Sequence, residues 1–414
     1  MATEDTKAEV RRQRLRRALP RPVTFLFGLA LGVVASLLAV QVVPLLASDD
    51  FEDGHLILMM DQDQSFGRQR IRLIEEWNAL HPEHPVTYIE LPSTATAARS
   101  QLVAHARSGA APVADVYSID VTWTAEFASA GLIRPLDESR LELDGFLAGP
   151  LGTGRYDGRQ YALPFNTDAG LLFYRKDLIP EPPRTLAEMV EQIEAYFRRP
   201  PAPDAEDPDT RPDPAVEAGF VGQLGDYEGF TVNALELVWA TGEEVVRADG
   251  SVAPHTSMAA AVHWLFEGLR PRDGWSVVLP DALDYDEDRS RRAFQAGRVL
   301  FMRNWPVAYR LLTEPPPGED GEPPMDPDLV GVAALPGPAA LGGQNLALAA
   351  TTDQPRAAQA LIEFLTSERS QQLLFDAGFA PTREIVYHDG GRGTDAEWLR
   401  ALRSAVHDAR PRPP

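Results

Sequence analysis

The chain predicts an α/β fold, and three features of its sequence support that prediction. From residue 56 onward, short apolar runs alternate with helical patterns. In the whole chain, 44% of the residues are hydrophobic and 24% are charged. This composition is enough for a real core, and strand–helix–strand alternation favours parallel strands with helices on the sheet faces. The length of 414 residues corresponds to two average domains or one large one. Cysteine is absent, which excludes disulfides, thiolate metal sites and a cysteine nucleophile.

A membrane segment is predicted before the globular body. Residues 1–22 carry seven basic and three acidic side chains, residues 23–47 carry no charge, and the remainder has a net charge of −26. As a helix rising ~1.5 Å per residue, Val23–Val43 would be roughly 31 Å long, enough for a ~30 Å hydrocarbon core. Because basic flanks stay cytoplasmic, we expect a cytoplasmic stub over 1–22 and a single-pass anchor over 23–47 in the cell membrane, with the body extracellular.

Two further expectations follow from the same charge pattern. A cleaved signal peptide is the alternative to the anchor, and the body would then be secreted. The acidic body repels phosphate backbones, so no nucleic-acid partner is expected.

The elements of the body follow in the order that an α/β fold requires. The first predicted elements are a strand over Leu56–Met60, a helix over Ile71–Leu80, a strand over Val86–Leu91, a helix over Arg99–Arg107, a strand over Val113–Ile119 and a helix over Thr122–Ala130. Strands over Tyr161–Leu163 and Leu171–Tyr174 then flank the polar residues 166–168. The later predictions are helices over Leu186–Phe197, Val232–Trp239, Met258–Gly268, Ser290–Ala296 and Ala357–Thr366, a strand over Val299–Met302, and proline-rich loops over 199–214 and 314–328.

Motifs of the common enzyme classes are missing from the sequence. It contains no Gly-x-Ser-x-Gly, no His-Glu-x-x-His and no Gly-x-x-x-x-Gly-Lys. The acidic run Asp284–Asp288 lacks the turn glycine and the bidentate glutamate of a calcium loop, so it is interpreted as solvated surface. We therefore expect no catalytic residue, no cofactor and no metal. A glycosidase with paired carboxylates stays open, although nothing singles out an acid and a nucleophile.

An ordered set of motifs resembles the bacterial extracellular solute-binding proteins of family 1, the carbohydrate-importer type, and in particular the trehalose/maltose-binding group. The motifs lie at Asp115–Phe127, Gly131–Asp137, Tyr161–Leu178, Phe220–Gln223, Tyr227–Asn233, Phe294–Gly297, Met302–Pro306, Leu341–Gly343, Ile362–Leu365 and Ala380–Arg383. They appear in family order and span about residues 55–405. Each motif alone is weak, and the ordered set carries the resemblance.

The resemblance implies a two-lobe fold of the periplasmic-binding-protein type II, with a hinge between the lobes. Lobe 1 would comprise residues 54–165 plus 346–366, and lobe 2 residues 166–342 plus 367–410. The chain would cross between the lobes near 164–168, near 342–345 and after 366. Closure of the two lobes would bury a ligand in the cleft between them.

The resemblance also implies a set of ligand-binding residues. A sugar presents hydroxyl groups, which carboxylates and guanidinium groups bind, and apolar C–H faces, which aromatic rings cover. The residues at cleft-facing family positions are Gln64, Ser65, Asp120, Asp168, Trp305, Gly342, Gly343 and Arg383, with Glu228 and Trp123 as weaker candidates. Val307 and Gln344 stand where aromatic residues are common in the family, so fewer stacking faces are expected here.

Each of these residues also has a purely structural interpretation. Asp120 could cap the backbone N–H groups of the following helix, and Asp168 could stabilise a turn. Trp305 could be a core residue, and Arg383 a solvated surface arginine. Gly342 and Gly343 could simply allow two backbones to approach closely.

The function implied by the resemblance is that of a binding subunit, which delivers an oligosaccharide or disaccharide to an ABC importer. Its partners would be a small carbohydrate and the permease subunits. A membrane-tethered sensor is the alternative, in which the same closure signals to a partner without transport.

Overall fold

Two mixed β-sheets organise the part of the chain that the structure describes. The computed structural model describes residues 51–63, 67–92, 94–108, 114–199, 215–247, 249–314, 323–389 and 396–413. The strands are β1 (Leu56–Met60), β2 (Val86–Glu90), β3 (Val116–Asp120), β4 (Ile133–Arg134), β5 (Arg155–Tyr156), β6 (Arg159–Gln160), β7 (Ala162–Ala169), β8 (Leu171–Arg175), β9 (Ala218–Val221), β10 (Ser276–Val278), β11 (Val299–Asn304), β12 (Val330–Ala334) and β13 (Leu341–Ala349).

The strand order separates the two sheets clearly. The first sheet has the order β2-β1-β3-β13-β4, with β7 also paired to β13. The second sheet has the order β10-β9-β11-β8-β12, and β5 pairs with β6 in a small separate ribbon. The chain passes from the first sheet to the second through the single residue Gly170, and it returns between β12 and β13.

The prediction of parallel pairing is confirmed for part of each sheet. Strand β1 is parallel to β2 and β3, and β9 is parallel to β10 and β11. Strand β13 is antiparallel to β3, β4 and β7, and β8 is antiparallel to β11 and β12. Within these two sheets the antiparallel pairs all involve β13 or β8, the two strands that directly follow a passage from one sheet to the other.

The helices cover the two sheets and follow the predicted alternation. They are α1 (Gln69–Leu80), α2 (Ala95–Ser108), α3 (Thr124–Ser129), α4 (Ala148–Thr153), α5 (Leu186–Phe197), α6 (Glu228–Ala240), α7 (Ala259–Leu269), α8 (Glu287–Gln295), α9 (Ala308–Thr313), α10 (Pro355–Leu365), α11 (Glu368–Asp376), α12 (Glu384–Asp389) and α13 (Ala396–Asp408). The predicted bounds of strand β1 and of helix α5 are confirmed, and the other predicted helices lie within a few residues of the observed ones.

One prediction about local structure is wrong. Residues 166–168 were expected to connect two strands, but they lie inside β7 and pair with β13. Asn166 and Thr167 are fully buried there. Their polar side chains are tolerated inside a strand because they are hydrogen-bonded, Asn166 to Arg70 and Asp168, and Thr167 to the carbonyl of Gly342.

Each sheet has its own hydrophobic core. Met59, Tyr117, Ile119 and Phe127 are buried in the core of the first sheet. The core of the second sheet is larger and includes Trp398 of α13, whose ring stacks on Tyr309 at 5.5 Å between centroids. Burial of such aromatic side chains is the main driving force for holding α13 against this sheet.

The predicted stub over 1–22 and anchor over 23–47 lie outside the described residues, as do most residues of the two proline-rich loops. Among the described helices, none combines the length and the apolar character that crossing a membrane requires. The lobe boundaries drawn from the resemblance stay a prediction.

Candidate functional site

Strand β13 brings two of the predicted carboxylates to the same place. On one side of it Asp120, the last residue of β3, pairs with Gln344, and on the other side Asp168 of β7 pairs with Gly342. The two aspartates therefore flank β13 within one short stretch of the first sheet. The negative charge of Asp120 is close enough to raise the pKa of Asp168.

The two glycines of β13 stand at close contacts, and Gly343 also has a positive φ. A β-carbon added at Gly342 would lie 3.3 Å from Cβ of Asp168 and 3.3 Å from Cη2 of Trp305. Gly343 has a φ of +118°, and a β-carbon there would lie 2.3 Å from the carbonyl oxygen of Asn166. The glycines thus let β7 and the ring of Trp305 approach β13. Gly342 lies beside both Asp168 and Trp305.

Trp305 follows β11 of the second sheet and is only partly buried. Its indole Nε1–H donates to Oε1 of Glu287 at 3.2 Å, and the hydroxyl of Tyr227 donates to Oε2 of the same carboxylate at 2.8 Å. The guanidinium carbon of Arg303 lies 3.8 Å from the centroid of the Trp305 ring. The ring is therefore fixed on one side by a cation–π contact and at its edge by a hydrogen bond.

Asp168 carries the most strongly perturbed carboxylate of this group. Burial raises its pKa to about 7, and the positive charges of Arg70 and Arg303 only partly counteract that rise. Its Oδ2 accepts a hydrogen bond of 3.1 Å from the side-chain amide of Asn166. Because its pKa lies near neutral pH, this carboxyl group can be ionised or protonated. It can therefore accept a hydrogen bond from a polar ligand or donate one to it.

Arg70 of α1 supports Asp168 from the side of the first sheet. Its side chain is 1% exposed, and it donates to Asp61 at 2.9 Å, to Asn166 at 2.9 Å and to Gln344 at 3.2 Å. The same guanidinium lies 4.5 Å from the ring centroid of Phe379. Gln344, which replaces the aromatic residue expected at this position, is therefore a hydrogen-bond partner of a buried arginine.

Arg303 of β11 supports the site from the side of the second sheet. It forms a two-pronged ion pair with Glu236, with both N–O distances 2.8 Å, and it also donates to Gln223 at 3.1 Å. The side chains of Arg303 and Glu236 are 3% and 6% exposed. The positive charge of Arg303, which lies against the Trp305 ring, is thus fully paired within the protein.

Asp120 has a structural partner and a second, unexpected one. Its Oδ1 accepts from the backbone N–H and the hydroxyl of Thr122, so it closes the turn before α3 and does not cap the helix itself, whose first residue is Thr124. The same oxygen also accepts from Arg412 at 2.7 Å, and the other prong of that guanidinium bonds to Glu228 at the start of α6. Glu228, a weaker candidate from the sequence, therefore belongs to the same group as Asp120.

Arg383 is the predicted residue that the structure does not bring to this group. Its side chain is buried, so it is not a solvated surface arginine. Its guanidinium donates to the main-chain carbonyls of Thr366 at 3.0 Å and Asp144 at 2.9 Å, and it lies 3.5 Å from the ring centroid of Phe146. Burial lowers the pKa of the guanidinium below its usual value. These contacts tie together segments far apart in sequence.

Gln64 and Ser65 lie outside the described residues, so their predicted contact with a ligand stays a prediction. Trp123, the other weaker candidate, lies roughly parallel to Phe127 at 6.4 Å between ring centroids. Sequence reasoning missed four charged residues of the site, Arg70, Arg303, Glu287 and Arg412. Arg303 lies in a motif of the resemblance, beside Trp305, and that position was its one available signal.

The arrangement has the chemical features of a binding site for a polyhydroxylated ligand. Two carboxylates flank β13, and the ring of Trp305, which packs on buried Arg303, reaches the same strand at Gly342. Among the described residues no group of three or more histidine or acidic side chains is placed to hold a metal ion.

The comparison with protein families identifies a relationship over most of the chain. The sequence pattern of a family described as bacterial extracellular solute-binding protein matches residues 73–398. A probable ABC transporter-binding protein of Deinococcus radiodurans is 31% identical over 292 residues, which cover 66% of this chain and 64% of that protein. A maltotriose-binding protein of Pyrococcus abyssi is 26% identical over 326 residues, again covering 64% of the relative's length.

Solved structures support the same relationship. The maltose-bound MalE3 protein of T. maritima superposes with a TM-score of 0.73 at 30% identity, over 87% of this chain and 89% of that one. The GacH receptor of Streptomyces glaucescens superposes with a TM-score of 0.71 at 22% identity over 87% of this chain and 88% of that chain, a likeness of fold alone. These neighbours have the two-lobe α/β fold, and the chain shares it.

Proposed function

The chain belongs to the bacterial extracellular solute-binding proteins, and on that premise we propose that it binds an oligosaccharide or disaccharide and delivers it to an ABC importer. The observation that carries the proposal is the pairing of Trp305 with Asp168 across Gly342. A sugar needs an apolar surface for its C–H face and a carboxyl group for its rim hydroxyls, and this pair offers both side by side.

The energetics are compatible with a transport protein. A dissociation constant of ~1 µM corresponds to about −8 kcal/mol, which a few charge-assisted hydrogen bonds and one stacked ring can supply. Maltose and maltotriose are the first ligands to test, because MalE3 was solved with maltose and the Pyrococcus relative is named for maltotriose. Transport itself would require permease subunits, to which the closed form would dock.

The test is a thermal-unfolding screen of the purified 414-residue protein with glucose, maltose, maltotriose and trehalose. A ligand that binds only the folded state raises the melting temperature, and the stabilisation grows with the logarithm of its concentration relative to Kd. We expect at least one disaccharide or trisaccharide to stabilise the protein and Asp168→Ala to abolish that stabilisation. Asp137→Ala is the matched control, because Asp137 is exposed and caps only the turn at Ser139.

Two results would contradict the proposal. If no sugar shifts the melting temperature of the wild-type protein, a carbohydrate is not the ligand. If Asp168→Ala keeps the full shift while the ligand-free protein stays folded, the site lies elsewhere. Cleavage of a glycan in the same samples would instead favour the glycosidase that the sequence left open.

For location, we propose an extracytoplasmic binding domain held at the cell membrane by residues 23–47. The support is the uncharged run in the sequence and its arginine-rich flank. Sequencing of the mature N-terminus checks it, because an end near Ser48 would show a cleaved signal peptide. A membrane-tethered sensor would have the same binding domain, and loss of sugar uptake on deletion would favour the transporter.

A further inference from the structure

The segment that follows α13 is docked against the strand at the centre of the site. The backbone N–H of Arg410 donates to the carbonyl of Ala339 at 2.8 Å, and the N–H of Leu341 donates to the carbonyl of Arg410 at 2.7 Å. These two bonds align the segment with the residues that lead into β13. Two residues further on, the side chain of Arg412 is only 8% exposed.

Arg412 joins residues that belong to opposite sides of the site. Asp120 ends β3 of the first sheet, whereas Glu228 begins α6, whose Asn233 and Glu236 bond to Gln223 and Arg303 of the second sheet's side. The fork of one guanidinium thus bridges two carboxylates from the two halves of the fold. Asp120 and Glu228 are themselves 16% and 26% exposed.

The bridge uses the oxygen atoms that a sugar would need. Burial and the nearby charge of Asp120 raise the pKa of Glu228, so the two carboxylates are unfavourable together without a cation. Burial alone would lower the pKa of Arg412, but Asp120 and Glu228 outweigh burial and raise it. A neutral hydroxyl group binds a carboxylate less strongly than this cation does. A ligand that binds Asp120 and Glu228 therefore has to compete with Arg412 for their oxygen atoms.

The fit of Arg412 is incomplete. Its Nε–H is buried and has no hydrogen-bond partner among the described residues. A buried donor without an acceptor weakens the state in which it is found. The seated arginine therefore carries the cost of one buried donor without an acceptor, which a state with Arg412 released would not have.

We propose that Arg412 is an internal occupant of the ligand site, which clasps the two halves together through Asp120 and Glu228 until a ligand displaces it. The proposal rests on the proposed function, because it assigns regulation to the same site. It predicts that the ligand-free protein is held in a closed arrangement by the segment that follows α13. It also predicts that the apparent affinity for sugar is reduced by the fraction of molecules in which Arg412 is seated.

The first experiment measures the clasp without any ligand. The chain has no cysteine, so nitroxide labels can be placed on the full-length protein at Ser129→Cys and Thr256→Cys, two exposed positions on the two sides. Pulsed electron paramagnetic resonance should show a longer and broader distance distribution in Arg412→Ala than in the wild type. Arg410→Ala is the matched control, since it removes the same charge from the same tail, where Arg410 pairs with the half-exposed Glu244.

Arg412→Lys provides a second measurement if Arg412→Ala does not fold. It keeps the positive charge beside the two carboxylates but cannot bridge both with one fork. We expect a distribution between those of the wild type and Arg412→Ala. An unchanged distribution in both Arg412 variants would overturn the clasp.

The second experiment measures maltotriose affinity by titration calorimetry. Removal of an internal competitor should tighten binding at least threefold in Arg412→Ala and leave it unchanged in Arg410→Ala. Weaker or unchanged binding in Arg412→Ala would overturn the proposal, and weaker binding would make Arg412 a ligand contact. If the wild type binds no maltotriose, the ligand assignment fails, and the distance measurement alone decides on the clasp.

Discussion

The two buried arginines on either side of Asp168 differ in how their charges are balanced. Arg303, on the side of the second sheet, forms a two-pronged pair with Glu236, and both side chains are almost fully buried. Arg70, on the side of the first sheet, is equally buried, but its carboxylate partner Asp61 is 35% exposed. It also donates to the neutral side chains of Asn166 and Gln344.

This difference teaches which half of the site is fixed and which can respond to a ligand. A cation that is fully paired inside the protein holds a neighbouring ring in place but has little charge left for a ligand. A cation whose main counter-charge faces solvent can share its donors when a ligand arrives. We infer that Arg303 positions Trp305, and that Arg70 and Asp61 adjust to the bound sugar.

The largest effect that tests the comparison is expected on the side of Arg303. Glu236→Gln leaves a buried guanidinium without its counter-charge, which should lower the free energy of unfolding by about 3–5 kcal/mol. Urea unfolding monitored by circular dichroism measures it. Glu217→Gln is the matched control, because Glu217 forms a similar two-pronged pair with Arg298 but is 51% exposed, and its loss should cost at most about 1 kcal/mol.

Equal losses in the two variants would remove the distinction between the buried pair and the exposed one. The assignment of Arg303 as a rigid support would then fail. The sugar affinity of the folded fraction of Glu236→Gln adds a second readout, because a displaced Trp305 ring should weaken binding as well.

Trp305→Ala tests whether the ring that Arg303 holds faces a ligand. If the ring stacks on the sugar, binding should weaken by roughly 1–3 kcal/mol, a magnitude borrowed from stacking on nucleic-acid bases. Titration calorimetry with the sugar found in the thermal screen measures the change. If Trp305 is instead a core residue, stability should fall by ~3–5 kcal/mol, and binding by the folded protein should change little.

Trp305→Phe separates the ring from its hydrogen bond. It keeps an aromatic face over Arg303 but loses the N–H bond to Glu287. We expect it to retain most of the affinity. A phenylalanine variant as weak as the alanine variant would show that the bond to Glu287, rather than stacking, carries the effect.

The pH dependence of stability reports on Asp168, between the two arginines. Its pKa rises from 3.8 to about 7 on folding, so the folded state binds the proton more tightly than the unfolded state. Stability from this group is therefore fully present below pH 3.8 and is lost as the pH rises to 7, by at most about 1.4 kcal/mol per pH unit. Thermal unfolding of the wild type and Asp168→Asn at pH 4.5 to 8 measures it, and the difference between the two curves should fall with pH.

A difference that is flat with pH would mean that Asp168 keeps an ordinary pKa. Because Arg70 and Arg303 both counteract the effect of burial, the same titration in Glu236→Gln should show a lower pKa for Asp168. Without the negative charge of Glu236, Arg303 attracts the carboxylate of Asp168 more strongly.

Much of the sheet framework could be predicted from the sequence, because β1 is an apolar run and β3 and β8 are mostly apolar. The local pattern did not predict strand β13, since Gly342, Gly343 and Gln344 at its start are typical of a turn, and only the resemblance implied a crossing of the chain near 342–345. Those residues are there for tertiary reasons, namely the approach of β7 and the side chain of Arg70. No local pattern encodes such a requirement.

The site shows the same limit. Asp120, Asp168 and Trp305 could be predicted as candidates because they lie within motifs of a known family, at or beside the ends of strands. Arg412 could not, since it lies in a proline- and arginine-rich segment typical of solvated tails. Its ion pair with Asp120 spans 292 residues of sequence. Charge pairing over such a separation depends on the whole fold.

Asp61→Asn should have the smallest effect on stability and thereby sharpen the comparison. The carboxylate is 35% exposed, and asparagine keeps an acceptor for Arg70, so the loss of unfolding free energy should be about 1 kcal/mol. Sugar affinity should change more than stability, because Arg70 loses its counter-charge on the side of Asp168 that we infer responds to the ligand. Calorimetric binding and urea unfolding of the same preparation separate the two effects. A stability loss as large as that of Glu236→Gln would show that solvent does not relieve the Arg70 charge, and both halves of the site would then be equally rigid.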